Sequence, residues 1–188
     1  ACHTFVLELT HDLPIVTITS NPENIYGSAG LLSHSDKTQR IPATVEIIET
    51  ENSGYISFEA EIGLFGNTSL YAPQKSLLIE VDNDYGDDFI SYDLFPNDSK
   101  NATTFGSFVL RNGGSNEWNR TKMTDGFLMS LARLGLDVDA QGYRPCAVYI
   151  NGEYYGLLNI REKMNRDYIT AKYGFDREGI TIVEPSVD

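Results

Sequence analysis

Lys75 is the first residue whose type and position suggest chemistry. In Lys75-Ser76-Leu77-Leu78-Ile79-Glu80-Val81-Asp82 the odd positions Leu77, Ile79 and Val81 form an apolar row, and Lys75 heads it with the same parity. An ammonium turned to the buried side of a strand needs a counter-charge or an anionic ligand, because desolvating it alone is costly. The other option for a lysine at a strand end is to reach back to water. Asp125 is the second residue of interest. The spacing predicts a helix from about Thr121 to Leu134, with Met123, Phe127, Leu131 and Leu134 on one packed stripe and Gly135 as its stop. Asp125 then stands at the border of that stripe, where it can meet a lysine from a strand beneath or serve the helix dipole as a first-turn carboxylate.

A second group of carboxylates lies in Asp82-Asn83-Asp84-Tyr85-Gly86-Asp87-Asp88. Asp82, Asp84 and Asp93 fall at the first, third and twelfth places of a calcium loop, but Gly86 comes one position early and the twelfth ligand is not Glu. A solvated hairpin turn before Phe89-Ile90-Ser91-Tyr92 is the expectation, with calcium the lesser alternative. His3, His11 and His34 lack metal-ligand spacing and read as surface or loop residues.

The element that should position these groups runs from Tyr143 to Glu162. Two runs rich in β-branched and aromatic residues flank Asn151-Gly152, the pair that most readily takes both left-handed positions of a type I′ turn. A two-residue turn sets Ile150 opposite Glu153, Tyr149 opposite Tyr154, Val148 opposite Tyr155 and Ala147 opposite Gly156. Both faces are mostly apolar, which predicts a central hairpin covered on both sides. The Ala147/Gly156 pair leaves a shallow notch. If the strand continues without a bulge, Glu162 points to that face, where the notch takes either a flat ligand or a packed helix backbone.

The remaining strands are expected at Leu13–Thr19, Pro42–Ile48, Ile56–Leu64, Phe105–Arg111 and Gly179–Val183, with a short helix from Asn165 to Tyr173 ended by Gly174. A loop is expected through Gly27 and Gly30. At 188 residues, with 41% hydrophobic and 11% aromatic content, one domain with one sizeable core is the default. The formal charge of −13 comes with no basic stripe, which argues against nucleic acid as a partner. No apolar run is long enough to cross a bilayer as a helix. Cys2 directly after Ala1 is what a lipoprotein looks like after trimming, so export or a cell-surface location is the expectation, although an arbitrary start gives the same residues. Cys2 and Cys146 allow one disulfide, with free thiols an equal alternative. The whole reads as α+β, an antiparallel sheet with packed helices.

Several stretches occur in an order that resembles the CotH kinase family, named for spore coat protein H. They are Leu13-Pro14-Ile15-Val16 with Asn21-Pro22, then Gly66-Asn67-Thr68-Ser69 with Pro73-Gln74-Lys75-Ser76-Leu77, then Leu110-Arg111-Asn112 with Glu117-Trp118. Asp125, Gln141-Gly142-Tyr143-Arg144-Pro145, Asn151 to Gly156 and Arg161-Glu162 follow. The resemblance implies the nucleotide-binding lobe of an atypical protein kinase, which uses ATP with magnesium or manganese to phosphorylate a protein substrate. It implies that Lys75 holds the phosphates, that Gly66, Asn67, Thr68 and Ser69 lie near them, that Asp125 pairs with Lys75, and that Ile160, Arg161 and Glu162 form the hinge beside the base. It also implies the front part of a longer domain, truncated after the hinge and inactive alone, because no stretch after Glu162 matches the family's metal-binding aspartates. The rival reading is a non-catalytic exported module for adhesion or glycan binding, with exposed tyrosine and tryptophan residues as its platform.

Overall fold

The structure is a computed structural model and describes residues 12–50, 54–81, 89–96, 103–114 and 119–183. The alternation seen in the sequence becomes strands β1 (Ile15–Thr19), β2 (Arg40–Ile48), β3 (Tyr55–Phe65) and β4 (Ser76–Val81). The short β5 (Ile90–Ser91) and β6 (Thr104–Phe105) pair only with each other, and β7 (Ser107–Arg111), β8 (Tyr143–Ile150) and β9 (Glu153–Glu162) follow. Seven strands close into a barrel in the order β1-β2-β3-β4-β7-β9-β8, with β8 returning to β1. Every barrel pair is antiparallel except the closing one, where Ile15 lies parallel to Ala147 and Ile18 to Ile150. One parity from each strand fills the interior, represented by Val16, Val45, Ile62, Ile79, Phe108, Val148 and Ile160, each no more than 1% exposed.

This overturns the expectation of an α+β lobe built from an antiparallel sheet with packed helices. Among the described residues the helices are α1 (Pro22–Tyr26), α2 (Thr124–Gly135) and α3 (Arg166–Tyr173), all short. The apolar interior rows do need cover, but the sheet supplies it by curling on itself, so opposing strands take the place expected of helices. The loop expected at Gly27 is partly helical, because Pro22 opens α1 and the Asn21 side chain accepts from the Glu23 N–H at 3.0 Å. Of the strand expected at Gly179–Val183, Gly179 ends a single 3₁₀ turn, Arg177–Gly179, and the four residues after it are irregular.

The hairpin turn is as its sequence predicts, with Asn151 and Gly152 both at positive φ. Its register is not. Tyr149 faces Tyr154, but Val148 faces Gly156 and Ala147 faces Leu157, so Tyr155 is the extra residue of a bulge. Gly156 at φ +132° permits this, and Gln74 lies against the position a Cβ would occupy. The Ala147/Gly156 notch therefore does not form, and Leu158, Ile160 and Glu162 turn inward while Arg161 turns outward.

α2 also departs from expectation. Met123, Phe127, Leu131 and Leu134 are between 48% and 86% exposed, so the apolar stripe faces outward. The helix instead rests through Gly126, where an added Cβ would come within 2.1 Å of the Tyr143 ring.

At the mouth of the barrel near the end of β2, Arg144 grips Glu49 with both terminal nitrogens, and the Tyr92 hydroxyl donates to Glu49 Oε1 at 2.6 Å. Burial pushes the Glu49 pKa up, but the hydrogen bonds from Arg144 and Tyr92 and the charge of Arg144 outweigh it, so the carboxyl sits below its ordinary value. A depressed folded pKa gives stability that is present above the ordinary carboxylate range and is lost as pH falls through the folded value. Glu49→Gln should therefore lower the melting temperature at neutral pH and flatten its decline between about pH 5 and about pH 3. Equal slopes for the two proteins would exclude this role.

Candidate functional site

The outward side chains of β4, β7 and β9 form rows across the barrel wall. Glu80 lies opposite Ser107, Val109 lies between Leu78 on one side and Arg161 on the other, and Arg111 lies opposite Asn159. α2 enters beside these rows. Asp125 in its first turn reaches them, and its Oδ2 takes Arg161 Nη1 at 2.8 Å and Arg111 Nε at 2.9 Å. Arg161 is 1% exposed. Its other terminal nitrogen donates to Gln141 Oε1 at 3.1 Å, and its guanidinium carbon lies 5.8 Å from the centre of the Tyr143 ring. Burial lowers the Arg161 pKa; Asp125 opposes the drop and the like charge of Arg111 adds to it. Two guanidiniums sharing one carboxylate leave the group with a net positive charge.

Lys122, just before α2, adds a third cation to this part of the wall. It is at φ +57°, and its ammonium donates to Leu157 O at 3.0 Å and to Gln74 Oε1. Its own carbonyl accepts from Asn159 Nδ2 at 3.0 Å. These bonds fix the residues that lead into the helix.

At the other end of the same wall is a cleft of about 660 Å³, lined by Glu80, Val81, Phe89, Phe105, Ser107, Glu162, Lys163, Asn165 and Tyr168 among others. Glu80 is held by Lys163 at 2.7 Å and Arg40 at 2.5 Å. Burial raises the Glu80 pKa, but the bonds from Lys163 and Arg40 win and keep the carboxyl below its usual range. Glu162 Oε2 accepts the Gly142 N–H at 2.7 Å, with Arg133 at 3.6 Å. Thr170 Oγ1, at the same cleft, is buried with no hydrogen-bond partner.

The residues expected to form one nucleotide site are divided between two ends of the barrel. Lys75 does lie on the buried row, 9% exposed, but its ammonium donates to Leu70 O at 2.5 Å. Burial lowers its pKa. Among the described residues no ion pair joins it to Asp125. Gly66 at φ +120° starts the turn in which Asn67 precedes a 3₁₀ segment, Thr68–Tyr71, so Gly66, Asn67, Thr68 and Ser69 gather around Lys75 through Leu70. Ile160 belongs to the barrel core, Arg161 to the outer wall and Glu162 to the cleft. Leu77, Leu110 and Ile160 fill the interior between Lys75 and Glu162.

Asp93 Oδ1 accepts the Phe95 N–H at 3.1 Å and serves a turn, while Asp82 and Asp84 fall outside the described residues, as do Cys2, His3 and His11. Cys146 is a free, buried thiol whose pKa burial pushes up to about 12. Among the described residues no three His, Cys, Asp or Glu side chains converge on a metal-sized space, and no helix is long and apolar enough to cross a membrane. Sequence reasoning gave no role to Arg111, Gln141, Tyr143 or Lys122. The usable signal was parity: Val109 and Arg111 share a strand face, and an arginine beside a buried valine needs a partner.

Fold and site together define a small closed barrel whose outer wall carries a net-positive arginine pair, Arg161 buried and Arg111 partly exposed, and, further along the same wall, an open cleft. The family described as CotH kinase protein matches residues 62–186, and the chain belongs to that family. A search of the curated proteins gives no match. The family match begins inside β3, so β1 and β2, which complete the barrel, lie before it.

Proposed function

We propose that this chain is the part of a CotH-type protein kinase that receives the nucleoside triphosphate. The observation that carries the reading is the coincidence of the family match with the cleft beside Glu162, the last residue of the Ile160–Glu162 stretch that the resemblance assigns to the base. The cleft is in the size range of small-ligand sites. Phe89 and Phe105 offer it aromatic surface, and Ser107, Lys163 and Asn165 offer polar groups to orient a ring.

Phosphoryl transfer to a protein hydroxyl is largely positioning and metal electrostatics, and magnesium supplies the charge neutralisation. The described residues do not fit a metal centre, so no transfer step is assigned to them. Their part is to bind and orient.

Titration calorimetry with ATP tests the reading. Binding by this chain is expected, with Phe89→Ala weakening it roughly fivefold through lost stacking. Absence of ATP binding would overturn the proposal. Retention on polysaccharide, lost on replacing the exposed Tyr26, Tyr71 and Tyr154, would favour the adhesion module instead.

A further inference from the structure

The side chains of α2 are arranged opposite to those of an ordinary surface helix. Its carboxylate, Asp125, and its basic residue, Arg133, both turn toward the barrel. Asp125 meets Arg111 and Arg161, and Arg133 donates to Ala140 O at 2.6 Å with Glu162 at 3.6 Å. Outward stand Phe127 at 58% exposed, Leu128 at 57%, Leu131 at 48% and Leu134 at 86%, with Met123 at 60% just before the helix. Their spacing puts them in one strip along the helix. No exposed residue of α2 is charged, and a contiguous apolar strip of this kind marks a contact surface rather than scattered exposure.

The charges flanking the strip indicate what covers it. Arg120 lies before α2 and Asp137 after it, both exposed, and among the described residues neither is in an ion pair. Each is at the unfavourable end of the helix dipole, a cation beside the positive end and an anion beside the negative one. A second helix laid antiparallel on the first corrects both placements at once.

We propose that α2 is the interface of a two-fold dimer, in which the apolar strip of one copy lies antiparallel on the same strip of a second copy. About an axis passing between Leu128 and Leu131, each Leu128 meets Leu131 of the other copy, and Phe127 and Leu134 extend the contact to either side. Arg120 of one copy then comes near Asp137 of the other, twice per dimer. The positive end of each helix also lies beside the negative end of its neighbour. A lipid surface fits the strip less well, because a chain of net charge −13 is repelled by anionic headgroups. The 12 residues of α2 span about 18 Å, a small contact that predicts reversible, micromolar association. Such a dimer forms whether or not the cleft takes a nucleotide.

Sedimentation velocity of the whole chain between about 1 and about 200 µM is the test, with circular dichroism and the melting temperature confirming that each variant is folded. A monomer–dimer equilibrium is expected. Leu131→Glu, at an exposed position, should weaken it at least about tenfold without unfolding the monomer. Arg120→Glu and Asp137→Arg should each weaken it about threefold or more, because like charges then face each other at both ends. The double variant Arg120→Glu/Asp137→Arg should return the dissociation constant to within about twofold of wild type, since the exchanged charges meet again across the axis. A monomer throughout the range overturns the proposal, as does a dimer indifferent to Leu131→Glu. A double variant as weak as the single ones overturns the antiparallel pairing on which the proposal rests. A monomer that binds phosphatidylcholine vesicles, and loses them with Leu131→Glu, overturns it in favour of a lipid surface.

Discussion

Arg161→Ala is expected to lower the stability of the chain by about 3 kcal/mol, the lower end of what breaking a buried pair costs. The side chain is 1% exposed and is the hub on which Asp125, Gln141 and Tyr143 meet. Truncating it leaves a void behind α2 and deprives Gln141 Oε1 of its donor. Asp125 keeps Arg111 and is 24% exposed, so water recovers part of the loss, which is why the lower end applies. Arg161→Lys should restore less than half, because a single ammonium cannot reach Asp125 and Gln141 from one planar fork. Urea denaturation measures both. A loss below about 1 kcal/mol for alanine would mean that the arginine is not structural.

Gly126→Ala should destabilise by about 2 kcal/mol, although helix propensity alone argues for a gain of about 1 kcal/mol. The new methyl would come within 2.1 Å of the Tyr143 ring, which belongs to β8 and lies beside the Arg161 guanidinium. Neither partner yields easily, so α2 must lift and carry Asp125 away from the arginines. A double variant with Tyr143→Ala should be less damaging than the sum of the two single changes. If Gly126→Ala raises the midpoint of denaturation, α2 does not sit on that ring as described.

Both effects depend on a register that the sequence only half reveals. Asn151-Gly152 announces its turn through backbone preference, a local property, and that turn is present. The bulge at Tyr155 has no such signature. Gly156 fits a notch in a regular ladder as well as it fits a positive φ, and one extra residue turns every later side chain of β9 to the opposite face. That is why Glu162 was expected on the notched face and lies on the other, inward one, and why the outward arginine beside it had no assigned partner. α2 shows a different limit. Its period gives the helix, but an apolar stripe does not say which side it packs, and the contact is made by the residue with no side chain. The parallel pairing of β1 with β8 was not legible at all, because it joins segments far apart in sequence with no turn between them.

That last pairing has a consequence for how the protein is made. As the polypeptide leaves the ribosome, β1 to β4 can zip together by nearest-neighbour pairing, but the free margin of β1 must wait until Ile150 has emerged. Bringing such distant segments together carries a loop-closure penalty that local hairpins avoid, and the open meander meanwhile offers a sticky border to other nascent chains. Ring closure therefore comes late, and the interval before it is when a chaperone would matter most.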